Sequence, residues 1–529
     1  MNKSWVRVLL TTILWGLFIT YMVVTIMNHW PSKRENVVNV SAEDNWDKLS
    51  LVLKSVEKNY VDDIDYRRVM EDIIPNVMAE LDPHSVYLPP QDLKEAEESL
   101  QGGFDGIGIQ FNVPNDTAIV TNVIVGGPSQ KAGLMTGDRI VKVDNKVVAG
   151  VKMHQDSIVA TMRGKKGTRV VVYVKRSGED GLIPFDIIRD KIPVHSVDIA
   201  YMINDTTGYL KLSRFARTSY KEYLVAMAKL SASGKMKKLI FDLRDNSGGY
   251  LDQALMLSND FLEKDQMIVY MEGKNRPRQD MKADGSGLCK DLELAVLINE
   301  TSASSSEIFA GAMQDNDRAT IYGVRSFGKG LVQEPVYFSD GSGIRLTVAR
   351  FYTPTGRCIQ KPYSEDYEMD ILKRYNSGEL FSVDSIKVVD SLKYTTPKGK
   401  IVYGGGGIIP DVFVPLDTLS SSNFIVKCNR LSLQIKYANE VSDRYREQLR
   451  EIKTLRQLYS FFGSVDLESG FLAYAKKAGV SPRNGEWNST KDVIMVQVEA
   501  LVGRYSAMGD DAFYPIYAKI DNVIQKALQ

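Results

Sequence analysis

Histidine is scarce in this chain of 529 residues: His29, His84, His154 and His195 are the only four, and none follows position 195. A hydroxyl nucleophile in the long remainder would have no imidazole base downstream of it. Cysteine is scarcer still. Cys289, Cys358 and Cys428 are widely spaced and odd in number, which excludes a disulfide framework and a CxxC metal site, and each reads as a buried small residue. Lysine plus arginine equals aspartate plus glutamate at 66 each, so no excess charge directs the chain toward nucleic acid. HExxH, a Walker loop and a dinucleotide fingerprint are also missing, so neither a metal nor a nucleotide cofactor is expected.

The rest of the composition, 44% hydrophobic and 25% charged, fits folded, water-soluble material of about two to four domains. The exception is Val8 to Met27, an uncharged run of apolar and small residues long enough to cross a bilayer. Lys3 and Arg7 precede it. Asn28-His-Trp-Pro31 follows, with neither a small-x-small cleavage site nor a cysteine for lipid attachment. Residues 1–28 therefore read as an uncleaved signal anchor and 29–42 as its polar tether. The alternative is a signal peptide cut at an unrecognised site.

Helical spacing of Trp46, Leu49, Leu53, Val56 and Tyr60, and again of Val69, Ile73, Val77 and Leu81, predicts a helical region over 43–100. Between 101 and 178, short β-rich runs punctuated by glycine predict a compact β module, with an amphipathic helix at His154 to Met162. Over 179–415, strands such as Leu239 to Leu243, Leu294 to Ile298 and Thr320 to Tyr322 alternate with helices, the pattern of a largely parallel α/β sheet. A charged insertion, 361–403, interrupts that pattern, and 416–529 reads as a helical C-terminal region. The fold class is a multidomain α/β (α+β) chain.

Three constellations could carry chemistry. Asp242-Leu-Arg-Asp-Asn-Ser-Gly-Gly249 sits where a strand gives way to a helix, and Gly248 and Gly249 would leave main-chain N–H groups uncovered, as an oxyanion hole requires. A tight turn without function reads the same way. Ser304 opens a helix, where the positive helix end favours a nucleophile and the Ser305 N–H could add an oxyanion donor. Ser302, Ser305 and Ser306 are equally hydroxylic, and serines before a helix also serve as caps. Lys329 lies between Gly328 and Gly330. To act as a base its amine must lose several units from about 10.4, through burial or nearby positive charge.

The order of Asp242-Leu-Arg-x-Asn-x-Gly-Gly, Ser302-Ala-Ser-x-Ser-Glu-Ile-Phe-Ala-Gly-Ala-Met-Gln-Asp-Asn, Phe327-Gly-Lys-Gly-x-Val-Gln and Phe351-Tyr-Thr-Pro-Thr-Gly-Arg resembles the carboxyl-terminal processing (tail-specific) proteases, from about Trp46 to Val412. The resemblance implies a Ser/Lys endopeptidase with a crotonase/Clp-like α/β core and an inserted PDZ domain. In it the nucleophile falls on Ser304, the general base on Lys329 and a supporting glutamine on Gln333. The family's spacing between serine and lysine is what selects Ser304 among the four hydroxyls. Alanine usual after the nucleophile is here Ser305, whose N–H is unaffected.

The resemblance places a carboxylate-binding loop at Gly106-Ile-Gly-Ile109, where Gly106, Ile107, Gly108 and Ile109 would receive the C-terminus of a peptide that adds as a strand. Ala132-Gly-Leu-x-x-Gly-Asp138 follows at PDZ spacing. Arg163, in Met162-Arg-Gly-Lys-Lys-Gly-Thr168, is a regulatory candidate linking PDZ occupancy to the protease, with a solvated basic turn as the plainer alternative. His84, in Leu81-Asp-Pro-His-Ser-x-Tyr-Leu88, is read as structural.

The expected partners are protein or peptide substrates with accessible apolar C-termini, the membrane through Val8 to Met27, and, for the C-terminal region, a homo-oligomer or an adaptor, with plain packing on the core as the alternative. The expected location is the inner (cytoplasmic) membrane, single-pass, with the catalytic part extracytoplasmic (periplasmic) and envelope proteins as substrates. Two other classes compete: a catalytically silent PDZ scaffold or chaperone, and acyl-CoA chemistry on a related core.

Overall fold

The computed structural model describes Thr20 and residues 45–529, apart from 125, 233, 365 and 417–421. No described helix is long and apolar enough to cross a membrane; the expected span at Val8 to Met27 lies outside the described residues. The chain divides into one unit ending at Ile73 and a second from Ile74 to Gln529. Helix α1 (Asn45–Asn59) lies in the first unit, and α2 (Tyr66–Ala79) leads into the second.

Strand β1 (Val86–Leu88) and helix α3 (Pro90–Leu100) precede the β module. A neck strand, β2 (Gly103–Gly106), leads into β3 (Ile109–Asn112), β4 (Ala118–Val123), the short α4 (Pro128–Ala132), β5 (Arg139–Val143) and β6 (Lys146–Val147). Then come α5 (Gln155–Met162), β7 (Arg169–Lys175), β8 (Ile183–Ile188) and β9 (Asp190–Pro193), which pairs back onto β2. The sheet order is β3-β4-β5-β7-β8, so β3 lies on an edge. Alternation makes the module's core: Val170, Val172 and Val174 of β7 are fully buried, Arg169 and Lys175 at its ends are exposed, and Ile140 and Ile158 pack into the same cluster.

The larger sheet starts with β10 (Val197–Met202) and β11 (Thr207–Leu212), followed by α6 (Ser219–Ser231), β12 (Lys238–Asp242) and α7 (Leu251–Asn259). A hairpin, β13 (Met267–Gly273) and β14 (Arg276–Lys282), precedes β15 (Glu293–Ile298), α8 (Ser305–Asp315) and β16 (Thr320–Gly323). The order is β10-β11-β12-β15-β16 with β21 (Val412–Phe413) beyond, parallel except for β10 against β11. That matches the expected parallel α/β pattern. A second, antiparallel sheet combines β13 and β14 with β1, β17 (Leu331–Tyr337) and β18 (Gly343–Tyr352). The insertion is ordered into α9 (Asp370–Asn376) and a hairpin of β19 (Lys393–Thr395) and β20 (Ile401–Tyr403).

Successive residues of a strand face opposite sides, so the central strands need two covers. Leu239 and Phe241 pack with Phe261 and Phe309 of the α7 and α8 layer, whereas Ile240 and Leu297 face Ala518, Val523, Ile524 and Ala527 at the C-terminal end. The C-terminal region supplies that second cover. It consists of α10 (Asn423–Arg430), α11 (Leu433–Arg444), α12 (Arg446–Glu451), α13 (Leu455–Ser464), α14 (Leu467–Lys477), α15 (Glu486–Arg504), α16 (Asp510–Tyr517) and α17 (Asn522–Leu528), with a core of its own around Phe424, Tyr437, Phe471, Ile494 and Val498.

Candidate active site

Strands β12 and β15 are neighbours and parallel, with Asp242 opposite Leu297, so the loops that follow them emerge at the same sheet edge. The first loop is shaped by Asn246, which is fully buried. Its Nδ2 donates to Leu212 O (2.8 Å), its Oδ1 accepts from Gly248 N (2.9 Å), and its carbonyl accepts from Ala303 N (3.0 Å) and Ser306 Oγ (2.8 Å). Gly248 (φ 101°) and Gly249 (φ 147°) occupy conformations that favour glycine. A Cβ on Gly248 would lie 2.8 Å from Ser304 Cβ, and one on Gly249 would lie 2.2 Å from Phe215 O. This close approach puts the glycine loop directly against Ser304.

The four hydroxyls differ in what they do. Ser302 Oγ donates to Leu243 O (2.8 Å), Ser305 Oγ to Gly249 O (2.9 Å) and Ser306 Oγ to Asn246 O (2.8 Å), and all three residues are buried. They stitch the second loop to the first. Ser304 is partly exposed, lines the cleft, and donates its hydroxyl proton to no protein acceptor among the described residues. Its backbone, at φ 56° and ψ −113°, lies in a region that costs a non-glycine residue about 1–3 kcal/mol.

Glu307, three residues on and fully buried, holds that conformation. Its carboxylate accepts from Ser304 N (2.9 Å), Lys329 N (2.8 Å), Gly328 N (2.7 Å) and Ser326 Oγ (2.5 Å). Burial pushes its carboxyl above the usual range, and the four donated hydrogen bonds pull against that shift. One carboxylate thus binds the Ser304 loop and the Lys329 loop to each other.

Lys329 Nζ donates to Gln333 Oε1 at 2.8 Å and, among the described residues, not to Ser304 Oγ. Gln333 Nε2 donates to His84 O at 2.6 Å, which fixes the amide's orientation. Burial first, and Arg345 second, pull the Lys329 amine down to about 8, against the opposing pull of Asp82 and Glu307. The carbonyl and ring of His84 are held by Asp82, whose Oδ1 accepts from His84 N (2.8 Å), and by Tyr367, whose hydroxyl lies 2.7 Å from His84 Nε2. Burial, then the charge of Lys329, push the His84 imidazole down to about 4, so it is neutral at ordinary pH.

Ser304, Ser305, Gly248, Gly249, Lys329 and Gln333 all line one cleft of about 1000 Å³, whose apolar walls include Leu255, Met271, Ile308 and Phe351. The three candidate oxyanion donors are not equivalent. Gly248 N–H is already given to Asn246 Oδ1, whereas the N–H groups of Gly249 and Ser305 meet no protein acceptor among the described residues. Asn246, Glu307 and Arg345 are contributors that the sequence did not single out, and His84, read there as structural, supports Gln333 through its carbonyl. Asn246 and Glu307 fall inside the quoted motifs, which was the only signal available for them.

The remaining candidates lie in the β module. Gly106 ends β2 and Ile109 starts the edge strand β3; Ile107 O accepts from Ser129 N (3.0 Å) and Gly108 O from Ile124 N (3.0 Å), while the N–H groups of Ile107 and Gly108 meet no acceptor among the described residues. Arg163 is not part of the cleft lining: its guanidinium stacks on Phe104, 4.7 Å from the ring centroid.

Comparison with known proteins gives three family matches: peptidase family S41 at residues 206–369, the PDZ domain at 106–184 and a family of unknown function at 425–506. The chain is 32% identical over 396 residues to a probable CtpA-like serine protease of Staphylococcus aureus (strain COL), covering 74% of this chain and 78% of that protein. It is 35% identical over 312 residues to a carboxy-terminal-processing protease of Bartonella bacilliformis, covering 58% and 71% respectively. Among solved structures it is similar to the photosystem II D1 C-terminal processing protease, at 25% identity and a TM-score of 0.38, covering 72% of this chain and 89% of that one.

Proposed function

This chain belongs to peptidase family S41, the carboxyl-terminal processing serine proteases, and from that we propose that it cuts peptide bonds with a Ser304/Lys329 dyad after its PDZ domain has taken a substrate's C-terminus. The observation that carries the dyad is the pair of backbone bonds from Ser304 and Lys329 to one buried carboxylate, with the Lys329 amine aimed into the same cleft by Gln333.

Ser304 Oγ attacks the peptide carbonyl and passes its proton to neutral Lys329 Nζ, and the lysine gives that proton to the departing amine. An amine at about 8 is neutral in roughly a tenth of molecules at pH 7. Substrate filling the cleft excludes water and favours the neutral form further. The developing oxyanion is met by the N–H groups of Ser305 and Gly249, each worth about 3 kcal/mol, while Gly248 shapes the loop through Asn246. Water then attacks the acyl-enzyme, losing a proton to the same lysine, which passes it to Ser304 Oγ as the bond from that oxygen to the acyl carbon breaks and the acid product leaves.

At the PDZ domain, the main-chain N–H groups around Gly106-Ile-Gly-Ile109 take the terminal carboxylate, and the peptide adds along the open edge of β3. The uncharged run at Val8 to Met27 anchors the protein in the inner membrane, with the protease on the periplasmic side, where envelope proteins are its substrates. Membrane fractionation of the full chain, with and without residues 1–28, tests the anchor.

The enzymatic reading predicts that a peptide ending in apolar residues is cleaved, and that amidating its C-terminus raises KM while leaving kcat nearly unchanged. Mass spectrometry of the products decides it. Binding without cleavage would instead make the chain a silent PDZ scaffold.

A further inference from the structure

Among the described residues, two attachments hold the PDZ domain to the rest of the chain. The first is the neck of β2 and β9, paired from Gly103 opposite Pro193 to Gly106 opposite Asp190. A domain carried only on such a neck can swing as a hinge. The second attachment is ionic. Asp138, whose side chain is completely buried, accepts from Arg176 Nη2 (2.7 Å) and Nε (2.8 Å) within the domain, and from Arg446 Nη1 (3.3 Å) at the start of α12. Arg446 Nη2 also donates to Asp443 Oδ1 (3.1 Å), and Asp443 pairs with Arg139 of the PDZ domain. Gly137 packs so closely that a Cβ there would lie 2.6 Å from Arg446 Nη2.

The same helical region is fixed to the protease core at its far end. Asp521, which caps α17, pairs with Arg244 Nη2 at 2.9 Å, and Arg244 in turn holds Asp242 at the start of the glycine loop. Ala518, Val523 and Ile524 pack on the sheet beside it. One body of helices therefore grips both the domain that takes the substrate's end and the strand that leads into the site of cutting.

We propose that this helical region sets the register of cleavage, and that Arg446 and Asp443, within the segment matched by a family of unknown function, are positioning residues for the cut site. The proposal rests on the reading that the PDZ domain takes the C-terminus. Withdrawing one member of a desolvated charge cluster leaves its partners unpaired, so the seat favours a single orientation over a continuum of them. A substrate held at its end can present to Ser304 only those bonds that the intervening chain can bring there, and that set narrows when the holding point is fixed.

The test uses the full chain and a peptide with a free apolar C-terminus, its amide as control, and mass spectrometry of the initial cuts. Wild type should cut the free acid in a narrow register counted from its end. Arg446→Glu should lose that register and spread its cuts over neighbouring bonds, and so should Asp443→Arg. Combining Asp443→Arg with Arg139→Asp, which reverses that pair, should restore part of the register and also shows that the variants fold. An unchanged register in Arg446→Glu and Asp443→Arg, with wild type still distinguishing acid from amide, overturns this proposal alone. Wild type treating acid and amide alike overturns the C-terminus reading and this proposal with it.

Discussion

Ser304→Ala and Lys329→Ala should each lower kcat for peptide hydrolysis by roughly 10⁴- to 10⁶-fold, and the double variant should be no worse than either single one. The two groups perform one step, in which a hydroxyl proton leaves as the bond to carbon forms, so removing either removes the step. The residual rate comes from the oxyanion donors and from substrate binding, which neither substitution touches directly. Lys329→Arg should fail as well, because a guanidinium keeps its proton at any working pH and cannot accept another. KM should change little, since neither side chain is needed to hold the peptide's end. Steady-state hydrolysis with product identification checks all four variants, and full activity in Lys329→Ala would remove the dyad.

Glu307→Ala should destabilise the core by about 3 kcal/mol or more and abolish activity, although Glu307 touches no substrate. Its carboxylate is the acceptor for three backbone N–H groups and the Ser326 hydroxyl. Deleting a buried acceptor charges the full desolvation of each donor left behind, about 1–3 kcal/mol apiece before relaxation. The Ser304 N–H would lose the acceptor that supports its positive φ. Glu307→Gln, nearly identical in shape, should rescue little: one end of its amide is a donor and would face two donors that now meet an oxygen. Thermal unfolding of both variants, with peptidase assays alongside, measures the effect. A Gln variant as stable and active as wild type would show that the carboxylate is not the acceptor described.

Much of this site was legible because strand and helix alternate from β11 onward. Adjacent parallel strands release their following loops at one edge, so the Gly248-Gly249 turn and Ser304 could be expected to meet. What the spacing of residues could not convey is who donates to whom. Ser302, Ser305 and Ser306 look like competitors in the sequence, and only the fold shows their hydroxyls committed to backbone carbonyls. Gly248 and Gly249 look interchangeable until Asn246 is seen to occupy the first. Glu307 looks like an ordinary acid in the first turn of a helix.

The antiparallel sheet was harder, since β17 pairs locally with β18 but β18 also pairs with β1, more than two hundred residues earlier, and no local pattern announces that contact. It is this pairing that brings His84 O to Gln333. The C-terminal helices posed the same difficulty. Their helical character was legible, but that part of them covers the second side of the central sheet follows only from the alternation of Phe241 and Ile240 between two layers.

The pH dependence of kcat/KM for peptide cleavage tests the central claim most directly, because the lysine assigned as base and the structural histidine beside it in the cleft titrate far apart. Burial and Arg345 hold Lys329 at about 8, and burial and Lys329 hold His84 at about 4. A base must be neutral to accept the serine's proton, so its protonation on the acid side removes activity. With Lys329 as base, kcat/KM should rise with pH to an inflection near 8 and fall about tenfold for each unit below it. Full activity maintained from neutrality down to an inflection near 4 would contradict the account.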